Sequence, residues 1–294
     1  SEAGPVAKPS VDDLFAKLRA SRTEEVVSKA DSPAPEAVVM AEPVPTPVAG
    51  KKSKAKAAPV EEPVAVMPLA VDTAAFERRD AELTPLIVAA GRKLKRVLAD
   101  EQNDVLHALR GRKGFDPSTL LPPLEEHLQR YVESVHEELQ AAALAGASSI
   151  SKGSSATLNK AIGRSNVLEP ALELLTGAVV QPLRERIERA VVDTGADATE
   201  LGNAVRAIYR EWKMQRIDEH LDDVALSAFG HGQLAVLKPG TSVCWAVDPN
   251  GPACPDAEDN SLAGAVDAGS EFPTAHRCAP AHEGCRCMLQ LAPR

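Results

Sequence analysis

The residues of this chain that can bind a metal or attack a substrate are concentrated near its C-terminus. All five cysteines lie there, at Cys244, Cys254, Cys278, Cys285 and Cys287. Thiolate and imidazole groups are the ligands that zinc prefers in closed, four-ligand structural sites. His282, Cys285 and Cys287 are close in sequence, and Cys254 can complete a site from an earlier loop. The sequence therefore predicts a structural Zn²⁺ site made by these four residues, since such a site stabilises a small, loop-rich unit outright.

The same groups allow other interpretations. Cys278 and His276 are substitutes for one of the four ligands. Without a metal, the cysteines are reduced thiols, or two of them form a disulfide. Alternatively, Cys285 or Cys287 forms a catalytic pair with His282 or His276, in which the imidazole activates the thiol as a nucleophile. We favour metal binding, because clustered Cys and His bind metal more often than they catalyse and this Pro- and Gly-rich segment offers little scaffold for a catalytic geometry.

The pattern around this cluster resembles the terminal domain of phage head-morphogenesis proteins, the Mu F-like minor head proteins. The shared residues are a Trp, an Asp, a Cys-Pro pair, two prolines and a final His-x-x-Cys-Arg-Cys, here Trp245, Asp248, Cys254-Pro255, Pro273, Pro280 and His282-Glu-Gly-Cys285-Arg286-Cys287. The resemblance covers residues 198–291 and implies a helical region followed by a small domain. This chain departs from the family at Ala257, where the family often has the second Cys of Cys-Pro-x-Cys.

Composition argues against several other classes of protein. The net charge of −9 and the scarcity of aromatic residues oppose a whole-chain role in nucleic-acid binding. No apolar run approaches the ~18 residues of a membrane-spanning helix. No signal-peptide pattern opens the sequence, so a cytoplasmic location is expected, where cysteines are more often ligands or thiols than disulfides.

The region upstream of the cluster divides into segments of different composition. Residues 1–72 are predicted to be disordered because prolines are dense between 31 and 72, with one short amphipathic helix within 11–29. Residues 73–146 predict a coiled-coil-like helical hairpin, in which a basic helix is followed by an acidic one. Small and polar residues predict a flexible linker over 147–166.

Helical periodicity resumes over residues 167–233, and residues 234–294 form a Cys/His-rich C-terminal module with two predicted strands at 234–237 and 242–247. The expected fold is therefore mostly α: a disordered Pro-rich N-terminal region, a helical hairpin or bundle, and a small α+β module. Glycines at 230 and 232 are predicted to end the last helix.

The Pro-rich region, the helical seams and the segment 11–29 also resemble long DivIVA-domain cell-division proteins. The two resemblances imply a non-enzymatic scaffold or assembly protein, acting in bacterial cell division or polar organisation, or else a phage-derived minor head protein in capsid assembly. A Cys/His-dependent hydrolase or transferase is the remaining alternative. The expected partners are proteins, including further copies of this chain through the coiled-coil helices.

Overall fold

The computed structural model describes residues 72–110, 116–195 and 197–293. The predicted amphipathic helix at 11–29 and the predicted disordered region, except for Asp72, lie outside these residues. Within them the chain is mostly helical and carries a small sheet near its C-terminus, which confirms the predicted fold class. No helix of the described residues has both the length and the apolar character needed to cross a bilayer.

Eight α-helices and three strands are found in the described residues. They are α1 (Thr73–Leu109), α2 (Leu124–Ile150), α3 (Ser155–Ile162), α4 (Glu169–Leu175), α5 (Gln181–Asp193), α6 (Ala198–Glu211), α7 (Ile217–Val236), β1 (Ser242–Ala246), α8 (Pro255–Leu262), β2 (Val266–Asp267) and β3 (Met288–Leu291). Single π-helical turns join α4 to α5 and α6 to α7. The first of these turns precedes Pro182, whose missing N–H disrupts the regular helical ladder.

The first two helices form the predicted antiparallel hairpin. Lys93 in α1 lies 2.8 Å from Glu138 in α2, whereas Asp104, further along α1, pairs with Arg130, nearer the start of α2. Asp72 caps α1 by accepting the Ala74 N–H at 3.0 Å. The apolar seam of α1 is buried within this chain, against α2 and α7.

Two glycines let α7 approach its neighbours at backbone distance. A Cβ on Gly232 would overlap the Ala143 carbonyl in α2, and one on Gly230 would overlap the Ala279 carbonyl of the C-terminal module. The prediction that these glycines end the helix is therefore wrong. The helix continues to Val236, so the predicted strand at 234–237 is wrong as well, and the boundary between residues 233 and 234 falls inside α7.

The predicted flexible linker at 147–166 is also corrected by the structure. The end of α2 and the whole of α3 lie within it. Ser154 caps α3, and Leu158 and Ile162 are buried in a cluster with Ala147. Small residues in this segment allow close helix packing, which composition alone does not distinguish from a linker.

The C-terminal module is built on a three-stranded antiparallel sheet with β1 at its centre. Trp245 on β1 packs edge-to-face on Phe272, with ring centroids 5.2 Å apart. The outer edge of β3 is covered by Gln233 of α7, which accepts the Leu289 N–H at 3.2 Å and donates to the Leu289 carbonyl at 3.1 Å. The buried amide thus takes the place of a further strand at that position and joins the module to the helices.

Candidate metal centre

Three of the four predicted ligands meet in the C-terminal module. The ligand atoms of Cys254, His282 and Cys285 all lie within 4.8 Å of one another, so this cluster can hold a metal ion. Cys254 immediately precedes α8, and the other two residues lie on the turn that leads into β3. It is the one group of three or more Cys, His or acidic ligands found among the described residues.

The distances within the cluster fit a tetrahedral zinc ion. With Zn–S near 2.3 Å and Zn–N near 2.0–2.1 Å, tetrahedral ligands lie about 3.8 Å apart for two sulfurs and about 3.6 Å for sulfur and nitrogen. The Sγ atoms of Cys254 and Cys285 are 3.7 Å apart, and Cys254 Sγ is 3.2 Å from His282 Nε2. All five cysteines are free thiols. The sulfur–sulfur distance is thus that of two ligands on one cation, whereas the sulfur–nitrogen distance is slightly shorter than in a metal-bound site.

The orientation of His282 suits metal binding. Its Nδ1 lies 2.7 Å from the Glu283 carbonyl, to which an Nδ1–H donates in the tautomer that this contact favours. That tautomer leaves the Nε2 lone pair facing Cys254. A hydrogen bond from the other ring nitrogen is the usual way in which proteins orient a metal-binding histidine.

The thiol of Cys287 and the backbone N–H groups of Ala281 and Cys287 lie near the sulfur of Cys285 and favour its thiolate. These donors, with a smaller contribution from Cys254, lower the pKa of Cys285 to about 5 against the opposing effect of burial. The turn thus stabilises a thiolate, which is the form that binds metal.

Cys287 lies beside the cluster but outside the group of mutually close ligand atoms. Its contact with Cys285, followed by burial, raises the pKa of the Cys287 thiol. The buried indole N–H of Trp245 lies near this sulfur and acts to lower its pKa, without reaching the geometry of a full hydrogen bond. A thiolate at Cys287 would give that N–H an acceptor.

The two predicted substitutes lie elsewhere in the module. His276 Nδ1 is 2.8 Å from the Thr274 hydroxyl, and the His276 ring packs beside Trp245. Cys278 is buried, and burial alone raises its pKa to about 11. Ala257, which replaces a family cysteine, is buried in the module core.

Helix α7 supports the turn between His282 and Cys287 from one side. The Gly284 N–H donates to Asp223 Oδ1 at 2.9 Å. Burial raises the pKa of Asp223, although this hydrogen bond acts in the opposite direction. Charged residues on helices are usually solvated, but Asp223 is half-buried and holds the turn.

Helix α1 supports the same turn from the other side through Arg79, whose side chain is fully buried. Its guanidinium donates to the Arg286 carbonyl at 2.6 Å, to Asp248 at 3.0 Å and to Asp80 at 2.8 Å. The Arg286 side chain in turn donates to Asp80 at 2.8 Å. The two aspartates balance the two arginines in charge, so the buried Arg79 guanidinium is compensated. Asp248 and Arg286 belong to the head-morphogenesis pattern, but no local signal in the sequence marks Arg79.

A groove of about 470 Å³ borders the centre. It lies between the junction of α4 with α5, helix α7 and the loop before Gly284, and its lining includes Glu173, Asp223, His282 and Glu283. Cys285 does not line this groove and is fully buried. A molecule in the groove would therefore meet the imidazole edge and acidic groups rather than the thiol of lowered pKa.

Comparisons with family models, with curated proteins and with solved structures give no match to this chain. The resemblances to head-morphogenesis and DivIVA-domain proteins therefore rest on the residues quoted above.

Proposed function

We propose that this chain is a non-enzymatic assembly protein whose C-terminal module is stabilised by one structural Zn²⁺ and makes contacts with protein partners. The observation that carries the proposal is the convergence of Cys254, His282 and Cys285 at distances close to those of tetrahedral zinc ligands. Cys287 is proposed as the fourth ligand, which requires its thiol to rotate from Cys285 toward the ion. Three ligands from one turn and one from the start of a helix would give the closed, four-ligand set of a structural zinc site.

The size of the module supports a structural role for the metal. Its sheet contains short strands, and much of its length is irregular backbone. A unit with so little regular structure has a small apolar core, and metal binding commonly supplies the missing stability in such units. The module also depends on the helices, through Gln233 and Arg79.

The position of Cys285 opposes a catalytic role. A nucleophile must reach its substrate, whereas this sulfur is fully buried and lies outside the neighbouring groove. Its lowered pKa is equally expected of a metal-binding thiolate. The proposal therefore assigns the thiolate to ligation.

The resemblance to Mu F-like proteins supports capsid assembly as one setting, and the resemblance to DivIVA-domain proteins supports cell division or polar organisation as the other. Gene neighbourhood distinguishes them: portal and terminase genes favour the first, and division genes favour the second. We favour the second, because the Pro-rich N-terminal region and long helical seams belong to that resemblance.

Metal content with ligand variants tests the proposal. The purified chain is expected to contain about one zinc, as closed four-ligand sites do. Cys285→Ser should lose the metal and unfold the module, and chelation of the wild-type protein should do the same. Cys278→Ser is a matched control, because Cys278 is a buried cysteine of the same module outside the cluster.

Replacement of zinc by Co²⁺ provides a count of the thiolate ligands, since each contributes to a sulfur-to-metal charge-transfer band. Three thiolates support the proposed ligand set, and Cys287→Ser should reduce this band by about one third. A metal-free chain with a folded module and rapid alkylation of Cys285 would contradict the proposal and favour a reactive thiol.

A further inference from the structure

The peptide that joins Arg286 to Cys287 connects the proposed metal centre to helix α1. Its carbonyl accepts a hydrogen bond from Arg79 Nη1 at 2.6 Å. The carbonyl that this buried guanidinium holds belongs to the residue between Cys285 and Cys287, two of the proposed ligands.

The rest of the Arg79 environment fixes this arrangement. Asp248 and Asp80 hold the guanidinium, and Asp80 also binds the Arg286 side chain. The guanidinium fork is rigid and cannot reach all three acceptors unless the turn sits in one orientation. Asp80, the other α1 residue of this network, accepts hydrogen bonds from the side chains of Arg79 and Arg286.

We infer that Arg79 is a positioning residue for the metal centre: by holding the Arg286 carbonyl, it fixes the part of the turn that lies between Cys285 and Cys287. This inference rests on the proposed function and adds to it a residue far from the cysteines. By linkage, a metal that favours this turn also favours the docked start of α1, so metal binding and the order of that helix end are coupled.

The first test compares two neighbouring arginines. Arg79→Gln removes the buried guanidinium, whereas Arg78→Gln removes an exposed one that pairs with Asp72 and does not contact the turn. We expect Arg79→Gln to weaken Zn²⁺ binding by about 10–100-fold, the usual effect of losing a group that orients a metal ligand. Arg78→Gln should bind as the wild type does.

The Co²⁺ spectrum separates positioning from simple loss of structure. The thiolates of a folded Arg79→Gln should still bind Co²⁺, but from a displaced turn, so the charge-transfer band should shift in position at nearly full intensity. Loss of a ligand through disorder would instead lower the intensity of the band.

Hydrogen exchange of the wild-type protein provides a test that does not depend on a variant folding. Added Zn²⁺ should slow amide exchange in residues 77–82 of α1, while residues 100–108 at the other end of the same helix serve as the control. The reason is that only the first segment is coupled to the turn.

The outcomes distinguish the two proposals. A wild-type chain that binds neither Zn²⁺ nor Co²⁺ refutes the proposed function and this inference with it. A wild type that binds Zn²⁺, with affinity and band position unchanged in a folded Arg79→Gln, overturns this inference alone. If that variant does not fold, equal exchange of residues 77–82 with and without Zn²⁺ overturns it.

Discussion

A buried polar cluster between α1, α2 and α6 allows a sharp test of the packing. Glu101, His127, Tyr131 and Tyr209 are each no more than 1% exposed. The Tyr209 hydroxyl donates to Glu101 Oε1 at 2.6 Å. His127 Nε2 lies 3.0 Å from Glu101 Oε2, but at an angle that does not satisfy a hydrogen bond. The perturbation we choose is Tyr209→Phe, which removes one hydroxyl and keeps the ring.

The expected loss of stability follows from the buried Glu101 carboxylate, which loses its hydrogen-bond donor. A hydrogen bond to a charged group contributes about 1.5–3 kcal/mol, and the upper part of that range applies when a buried acceptor loses its donor. Burial, followed by the Glu101 carboxylate, raises the pKa of Tyr209, so the phenol is a donor at all ordinary pH values. We therefore expect Tyr209→Phe to lower the free energy of unfolding by about 2–3 kcal/mol. For a folded region of this size, that lowers Tm by about 5–10 °C.

Tyr131→Phe is the matched control. Tyr131 is as buried as Tyr209, and burial, followed by Glu101, raises its pKa too, but its hydroxyl makes no hydrogen bond of acceptable geometry. Its edge-to-face contact with His127, at 5.4 Å between ring centroids, survives in phenylalanine. The cost should therefore be below about 1 kcal/mol, because no satisfied polar group is lost.

Urea and thermal unfolding, followed by circular dichroism, measure both variants. The reasoning requires Tyr209→Phe to be the more destabilising by at least about 1 kcal/mol. Equal losses, or a larger loss for Tyr131→Phe, would show that the hydroxyl of Tyr209 is not what stabilises the buried carboxylate.

Three further predictions concern other contacts. Since burial raises the pKa of Asp223, the folded state favours the protonated carboxyl, and this contribution is lost as pH rises through the folded-state pKa. Asp223→Asn should therefore be more stable than the metal-free wild type between about pH 4 and 7. The gain should be less than about 1 kcal/mol, because the group is half exposed, and Tm measured against pH tests it. Gly230→Ala should lower the free energy of unfolding by about 1–3 kcal/mol, because the new Cβ overlaps the Ala279 carbonyl. Gly177→Ala faces open space and should leave it almost unchanged, and urea unfolding measures both. Leu158→Ala should lower the free energy of unfolding by about 2–5 kcal/mol. If α3 opens independently of the other helices, the variant should instead show faster hydrogen exchange in that helix alone.

Sequence periodicity predicted the long helices because their apolar seams extend over many turns. The buried face of α2 does not follow the apolar pattern alone, since Leu124 is exposed whereas His127 and Tyr131 are buried. Hydrophobicity patterns miss such residues because a polar side chain becomes compatible with the core only when its partner, here Glu101, arrives from another helix.

The roles of Gly230 and Gly232 were also predicted wrongly. The sequence cannot distinguish a glycine that ends a helix from one that lets two backbones touch, since both uses require the absence of Cβ. At Gly232 the missing Cβ leaves room for the carbonyl of Ala143, which lies far away in the sequence.

The ligands of the candidate metal centre were predictable, because Cys and His are recognisable as ligands from residue type alone. Cys254, His282 and Cys285 were identified from the rarity of such groups elsewhere and now lie together. Their supports were not predictable, because Arg79 and Asp223 are charged residues on helices, where a solvated position is the usual outcome.

The hydrogen bond from Arg79 to the Arg286 carbonyl spans 207 positions of sequence. At the usual rate of protein synthesis, about 5–20 residues per second, Arg79 is made roughly 10–40 s before its acceptor exists. During that interval the start of α1 carries a guanidinium that has neither Asp248 nor the Arg286 carbonyl beside it. The helices can assemble while the ribosome is still working, but this end of the bundle closes only when the last turn emerges. A chain terminated before Arg286 is therefore left with an open α1 end, which proteases can recognise.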